Sequence, residues 1–267
     1  MKKTLQRLTT SSILTVASTL TFGLAEPLAP VTPDLLANRV LAAELALSAS
    51  DIYEQAVESV VTIYTLDENY ALAERFGSGF VVRSDGLIVT NSHVVRESIT
   101  SVVVVFSDGS KSMAEVIGYD RQGRDLAALQ LVGDYNLPIL TLATQGMPRI
   151  GETVYAIGAP RGIANTMTSG IVGNVAANQT EILHNAAING GNSGGPLIDT
   201  QGHVIGMNAW IFQAAVETVS GEVIGEVDGY SGMSFAIAAN QITDFIADLE
   251  SGVALTPAQL ARRIVQN

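Results

Sequence analysis

The chain has 267 residues, 47% of them hydrophobic, no cysteine and a formal net charge of −12. That length and apolar content can bury a substantial core without cross-links, and the missing thiols exclude disulfides, thiolate chemistry and cysteine-bound zinc. The acidic balance excludes nucleic acid as a partner, because a phosphate backbone is gripped by an excess of lysine and arginine.

Residues 1–25 are predicted to be a secretory signal. Lys2, Lys3 and Arg7 precede an uncharged stretch from Ser11 to Ala25, which closes on Gly23-Leu24-Ala25, small residues of the kind that precede a cleavage site. The alternative is an uncleaved anchor, since the uncharged run 8–25 is long enough for a short membrane span. Only in that case is the membrane a partner, and the threonines and serines of the run weigh against it. Pro27, Pro30 and Pro33 mark a linker over 26–50, in which the leucines of 34–48 predict a short amphipathic helix. A folded domain is predicted over 51–250 and a tail over 251–267, where Thr256-Pro257 opens a helix running to 265.

Within the domain, short β-branched runs recur at 59–66, 79–83, 101–106, 127–132, 153–157, 168–173, 203–210 and 233–238. Turn residues separate them, a spacing that suits an all-β barrel fold. Ser84-Asp85-Gly86 reads as a hairpin turn. Ile242, Phe245, Ile246 and Leu249 fall on one face at helical spacing and predict a closing helix.

The groups that could do chemistry come in a definite order. His93 follows Thr90-Asn91-Ser92, where an apolar strand gives way to a turn; by itself it reads equally well as a polar residue of a capping loop. The chain has only three histidines, His93, His184 and His203, so any imidazole chemistry must use one of them. Asp125 opens the apolar run Leu126-Ala127-Ala128-Leu129, where an ionised group is costly to bury unless paired. A histidine N–H is one partner, and its own backbone is another. Asp108 and Asp120 read as ordinary turn aspartates. His184 precedes a glycine-rich run and has nothing nearby to orient it, and His203 sits at a turn tip. The run itself is Asn189-Gly190-Gly191-Asn192-Ser193-Gly194-Gly195-Pro196-Leu197. Its glycines allow a sharp turn with bare N–H groups beside a hydroxyl, the parts of a nucleophile and an oxyanion hole. A plain hairpin connection has the same composition.

Taken together, residues 77–80, 90–95, 125–129, 168–172, 187–197 and 235–237 resemble the HtrA/Deg branch of the trypsin-like serine proteases, in family order and over about 51–250. The resemblance implies two six-stranded antiparallel β-barrels, a trypsin-like double barrel with a C-terminal helix, and a cleft between the barrels. It implies a serine endopeptidase that hydrolyses unfolded or damaged exported polypeptides, in the periplasm or an equivalent compartment. His93 would be the base, Asp125 its partner and Ser193 the nucleophile of an acyl-enzyme pathway, with the N–H groups of Gly191 and Ser193 as the oxyanion hole. No metal or other cofactor is expected. Ala187 and Ile188 would form one wall of the P1 pocket and Phe235, Ala236 and Ile237 the other, favouring small or medium apolar residues. Extended substrate would pair along 234–237, and acidic Glu217, Glu222, Glu226 and Asp228 would border the site. Asn192 replaces the aspartate that captures a freed N-terminus in zymogens, so zymogen cleavage is not expected. A homotrimer assembled near Asp51-Ile52-Tyr53 is also implied.

The chain departs from the family at Gly190, where proline is usual, and at His184-Asn185, where Thr-Asp is usual. The tail is expected to be too short for the family's PDZ module, so tethering through one is not carried over. Two other readings stay open: a catalytically silent peptide-binding chaperone on the same fold, and a structural envelope protein.

Overall fold

The computed structural model describes residues 47–66, 72–96, 101–211, 214–217, 223–227 and 232–266. The predicted signal, the helix proposed within the linker up to residue 46, and Glu222 and Asp228 lie outside them. The described fold opens with helix α1 (Ala49–Ala56), which Ser48 caps. The Asp51 N–H donates to Ser48 Oγ while the Ser48 N–H donates to Asp51 Oδ2, each at 3.1 Å, satisfying two backbone donors reciprocally. Ile52 of this helix is fully buried.

Strands are numbered in chain order. The first closed barrel consists of β1 (Val60–Leu66), β2 (Leu72–Arg83), β3 (Leu87–Thr90), β4 (Ser101–Val105), β5 (Lys111–Tyr119) and β6 (Ala127–Leu131), ordered β1-β2-β3-β6-β5-β4. The second consists of β7 (Thr153–Gly158), β8 (Thr166–Val175), β9 (Glu181–His184), β10 (Pro196–Ile198), β11 (Val204–Ile211) and β14 (Ser234–Ala238), ordered β10-β11-β14-β9-β8-β7. Between β11 and β14 a separate hairpin of β12 (Ala214–Glu217) and β13 (Val223–Val227) carries Glu217 and Glu226. The helices α2 (Ser92–Val95), α3 (Ala239–Glu250) and α4 (Pro257–Gln266) complete the fold. This is the predicted trypsin-like double barrel.

Alternate residues of one strand serve different cores. Ile88 packs inside the first barrel with Val61, Ile63, Val81 and Leu129. Its neighbours Leu87 and Val89 turn to the seam between the barrels, joining Tyr155, Ile157, Ile198 and Met207 of the second. With both faces buried, β3 reads in the sequence as a continuous apolar run. Helix α3 seals the seam as its spacing predicts: Ile242 and Phe245 are fully buried and Ile246 and Leu249 pack against the same cluster. Leu249 also explains a glycine within β5, since a Cβ at Gly118 would lie 2.6 Å from its Cδ1.

Five strands in the barrels or beside them went unmarked by the sequence pattern: β5, β9, β10, β12 and β13. In β5 buried Ala114 and Val116 alternate with exposed Lys111 and Glu115, so no β-branched run forms. Strands β9 and β10 have only 4 and 3 residues.

Candidate active site

The groove side of the first barrel is built where β3 ends. Thr90 Oγ1 donates to Ser78 O at 2.7 Å, closing the strand end onto β2. The single turn α2 follows, pinned by buried Val94 and Val95, and presents His93 with its side chain about one-third exposed. Asp125 lies one strand away at the start of β6. Its Oδ2 meets His93 Nδ1 at 2.5 Å, and its Oδ1 accepts from Ser92 Oγ at 2.6 Å and from the His93 N–H at 2.9 Å. Asn91 Nδ2 donates to the Asp125 carbonyl at 2.9 Å. Burial pushes the Asp125 carboxyl up, but the hydrogen bond and charge attraction of His93, the Ser92 hydroxyl and the His93 N–H outweigh it and hold the carboxyl below the ordinary aspartate value.

The turn before Asp125 corrects one expectation. Asp120 is not an ordinary turn aspartate, because its side chain is fully buried against Arg124. It accepts from the N–H groups of Gln122 at 2.8 Å and Arg124 at 2.9 Å, and from the Arg124 guanidinium through Nε at 2.9 Å and Nη2 at 2.5 Å. A buried carboxylate needs such a full set of donors, and here the set fixes the loop that delivers Asp125.

Ser193 comes from the second barrel on the turn before β10. Gly191 and Gly194 have φ of 102° and 85°, and a Cβ at either would collide with backbone oxygens, Ala159 O and Ser78 O respectively. Only glycine suits both the dihedral and the space. Ser78 ties this turn to the first barrel: its N–H donates to Ser193 O at 2.8 Å, its hydroxyl donates to Gly191 O at 2.7 Å, and the Ala159 N–H donates to that hydroxyl at 3.1 Å. Gly77 lies between Val94 of α2 and the Ser193 carbonyl, which brings the His93 turn and the Ser193 turn to one place.

The N–H groups of the turn fall into two sets. Those of Asn192, Gly194 and Gly195 are committed, to Asn189 O at 3.0 Å, Asn208 O at 2.8 Å and Asn192 O at 2.9 Å. Those of Gly191 and Ser193 have no hydrogen bond to any described residue. The Ser193 hydroxyl donates to Ala209 O at 3.1 Å, and among the described residues it makes no bond to His93.

The remaining predicted residues are distributed as follows. Of the two pocket walls, Ala187 and Phe235 are partly open, whereas Ile188, Ala236 and Ile237 are 3%, 0% and 4% exposed. Ile188 and Ala236 belong to the core of the second barrel and Ile237 to the seam. The expectation that substrate pairs along 234–237 is overturned. Strand β14 is central: Ser234–Ile237 are already paired with β9 on one side and β11 on the other. Asn192 is buried and neutral, held by the turn. His203 is half-exposed and 3.6 Å from Asp199. His184 is 1% exposed inside the second barrel, and desolvation lowers its pKa to about 4. Of the Asp51-Ile52-Tyr53 segment, Asp51 is exposed, Ile52 is buried in the core, and Tyr53 is partly exposed with its hydroxyl donating to Asn165 O at 3.0 Å.

Sequence reasoning missed Ser78 and Asn208. Asn208 sits in the apolar run Val204-Ile205-Gly206-Met207-Asn208-Ala209-Trp210 of β11 and is 0% exposed. A lone amide in such a run demands partners, which was the available signal.

The two closed barrels form a trypsin-like double barrel, and a family model described as a trypsin-like peptidase domain matches residues 77–207. The chain is similar to HtrA/DegP-type serine endoproteases. It is 42% identical over 180 residues to a probable periplasmic serine endoprotease DegP-like of Halomonas elongata, covering 64% of this chain and 34% of that protein. A protein described in the same words from Chlamydia muridarum is 40% identical over 168 residues, covering 60% of this chain and 31% of that protein. Among solved structures, the serine endoprotease from Yersinia pestis superposes with a TM-score of 0.63 at 30% identity, covering 76% of this chain and 66% of that one. An HtrA-type protease with a tripeptide gives 0.62 at 30% identity, with 76% and 64% covered. The chain spans about a third of the length of the curated relatives it matches.

Proposed function

We propose that this chain is a serine endopeptidase whose nucleophile is Ser193, with His93 as general base and Asp125 as its orienting carboxylate. The observation that carries the reading is the pairing of a fully bonded Asp125 against His93 with a turn whose Gly191 and Ser193 N–H groups are left unspent. Rotation of the Ser193 hydroxyl from Ala209 O toward His93 would begin the reaction, as catalytic hydrogen bonds often tighten only when substrate is bound. His93 then takes the hydroxyl proton as Oγ attacks the scissile carbonyl, and returns it to the leaving amine. The acyl-enzyme is hydrolysed by the reverse proton path. The two free N–H groups hold the oxyanion, each contributing about 3–4 kcal/mol in comparable sites.

The names of the relatives support an exported, periplasmic enzyme acting on polypeptides, here unfolded or damaged ones. A small apolar P1 residue suits the Ala187 and Phe235 openings, because no carboxylate of the proposed walls offsets the desolvation of a lysine or arginine head group. Mapping of cut sites in an unfolded protein should show valine, alanine, isoleucine or leucine at P1. A dominant preference for basic residues would discard this pocket.

The parking of the Ser193 hydroxyl on Ala209 O favours a second reading, a peptide-binding chaperone without catalysis. A fluorophosphonate probe decides between them. The protease reading expects covalent labelling of the wild-type chain, no labelling of Ser193→Ala, and a fall in casein hydrolysis of at least about 10⁴-fold with unchanged circular dichroism. An unlabelled wild-type chain would leave the chaperone.

A further inference from the structure

Strand β11 passes directly beneath the Ser193 turn, and one residue on it holds three consecutive residues of that turn. The Asn208 carbonyl accepts from the Gly194 N–H at 2.8 Å, its N–H donates to Gly195 O at 2.9 Å, and its Nδ2 donates to both Gly195 O and Pro196 O at 3.1 Å. The neighbouring residue supplies the carbonyl, Ala209 O, on which the Ser193 hydroxyl rests. Two carbonyl oxygens around one amide nitrogen fix which way the amide points: a flipped Asn208 would set its own oxygen against both. Its Oδ1 must therefore face away from the turn, and there it is buried with no hydrogen-bond partner among the described residues.

His184 is the group on that side. It stands on β9, and Asn208 stands on β11, so that β14 runs between them, with Ser234 paired to His184 and Ala236 paired to Asn208. These two small side chains leave room for the imidazole and the amide to approach across β14. Desolvation lowers the His184 pKa and the Asn208 side chain pushes it back up, yet neither ring nitrogen reaches hydrogen-bonding geometry, and among the described residues both are buried without a partner. Three unpartnered polar atoms in one place inside a barrel core are costly unless they serve one another, because each forgoes water without a replacement. Of the residues paired with His184 across the sheet, Val172 has no polar side-chain atom and the Ser234 hydroxyl donates to Ala186 O at 3.1 Å.

We propose that Asn208 is a positioning residue for Ser193, and that neutral His184 is its support, donating a ring N–H to Asn208 Oδ1 when the turn adopts its working conformation. The amide then pulls Gly195 and Pro196 into the place that leaves Ser193 at the head of the turn. This rests on the protease reading above, so the experiment first asks whether the wild-type chain is labelled by the fluorophosphonate at all; no labelling would defeat that reading rather than this one.

Given labelling, three variants separate positioning from packing. Asn208→Leu keeps the branching of the side chain but loses both donated bonds; its acylation rate and kcat for a peptide substrate should fall at least about tenfold, with KM changed less than threefold. His184→Phe keeps a ring without a donor and should fall in the same way by a smaller factor. His184→Gln restores an N–H donor and should recover to within about threefold of wild type. A merely structural role predicts the opposite ranking at His184, since phenylalanine fills an apolar core better than glutamine. Wild-type kcat in Asn208→Leu, or His184→Phe outperforming His184→Gln, would overturn the proposal. If Asn208→Leu does not fold, the two His184 variants decide alone.

Discussion

The two barrels deliver their parts of the site in opposite ways. In the first, the Asp125 carboxylate receives three hydrogen bonds and its carbonyl two more from Asn91 and Ser92, and the loop leading to it is clamped by Asp120. In the second, the turn around Ser193 is anchored at the N–H groups of Asn192, Gly194 and Gly195, while those of Gly191 and Ser193 have no hydrogen bond to any described residue. The difference follows from what each must do. A half-buried charge has to be held whether or not substrate is present, since an unpaired one is expensive. The proposed oxyanion hole would have to be fixed in shape yet empty of protein acceptors, because its donors would be needed only when charge develops. The first problem is solved by saturating a group and the second by saturating its neighbours.

Breaking the saturated side should have the larger effect. Asp125→Asn keeps the shape but offers His93 the wrong tautomer, and kcat/KM should fall by about 10⁴-fold with little change in fold. A fall of less than tenfold in steady-state hydrolysis would mean that the Asp125 contact is structural only.

The next effect concerns the interior beneath the turn. His184 is neutral when buried, with its pKa lowered to about 4 from an ordinary 6.5, so below pH 6.5 the unfolded chain binds a proton that the folded chain refuses. Its contribution to stability is fully present above that value and is lost as pH falls toward 4, on the order of 3 kcal/mol in all. Asp125, with a lowered carboxyl, loses its own contribution only at still lower pH. Urea unfolding at pH 7.0 and 4.5 should show this drop in the wild type and a flatter dependence in His184→Gln. Equal slopes for the two proteins would remove the buried imidazole from the account.

The smallest effect tests how firmly the empty side is held. Gly190 has no φ in the left-handed region, and a Cβ there would have nothing within 4 Å. Gly190→Ala should therefore stabilise the chain by about 0.4–1 kcal/mol, by restricting the unfolded state. Destabilisation in the denaturation midpoint would show that this glycine uses conformations closed to alanine.

The candidate residues His93, Asp125 and Ser193 were legible because each stands out against its surroundings: a scarce imidazole at a strand end, a carboxylate opening an apolar run, a hydroxyl among glycines. Asp120 was misread because a turn aspartate and a buried clamp have the same local sequence; only the approach of Arg124 distinguishes them. The pocket walls were legible as apolar, but Ile188, Ala236 and Ile237 proved to be largely consumed by the cores. Apolar character at a strand end does not reveal whether a cleft or a core will claim it.

The sequence by itself determined the alternating patterns that make strands, the helical face of α3 and the glycines that permit the Ser193 turn, because these depend on residues close together in the chain. Only the tertiary structure makes β14 central and not an edge, has Ser78 of one barrel hold the turn of the other, and sets Asn208 and His184 on the two sides of β14. Those facts arise from barrel closure, which sets strand neighbours by pairing register and not by distance along the chain.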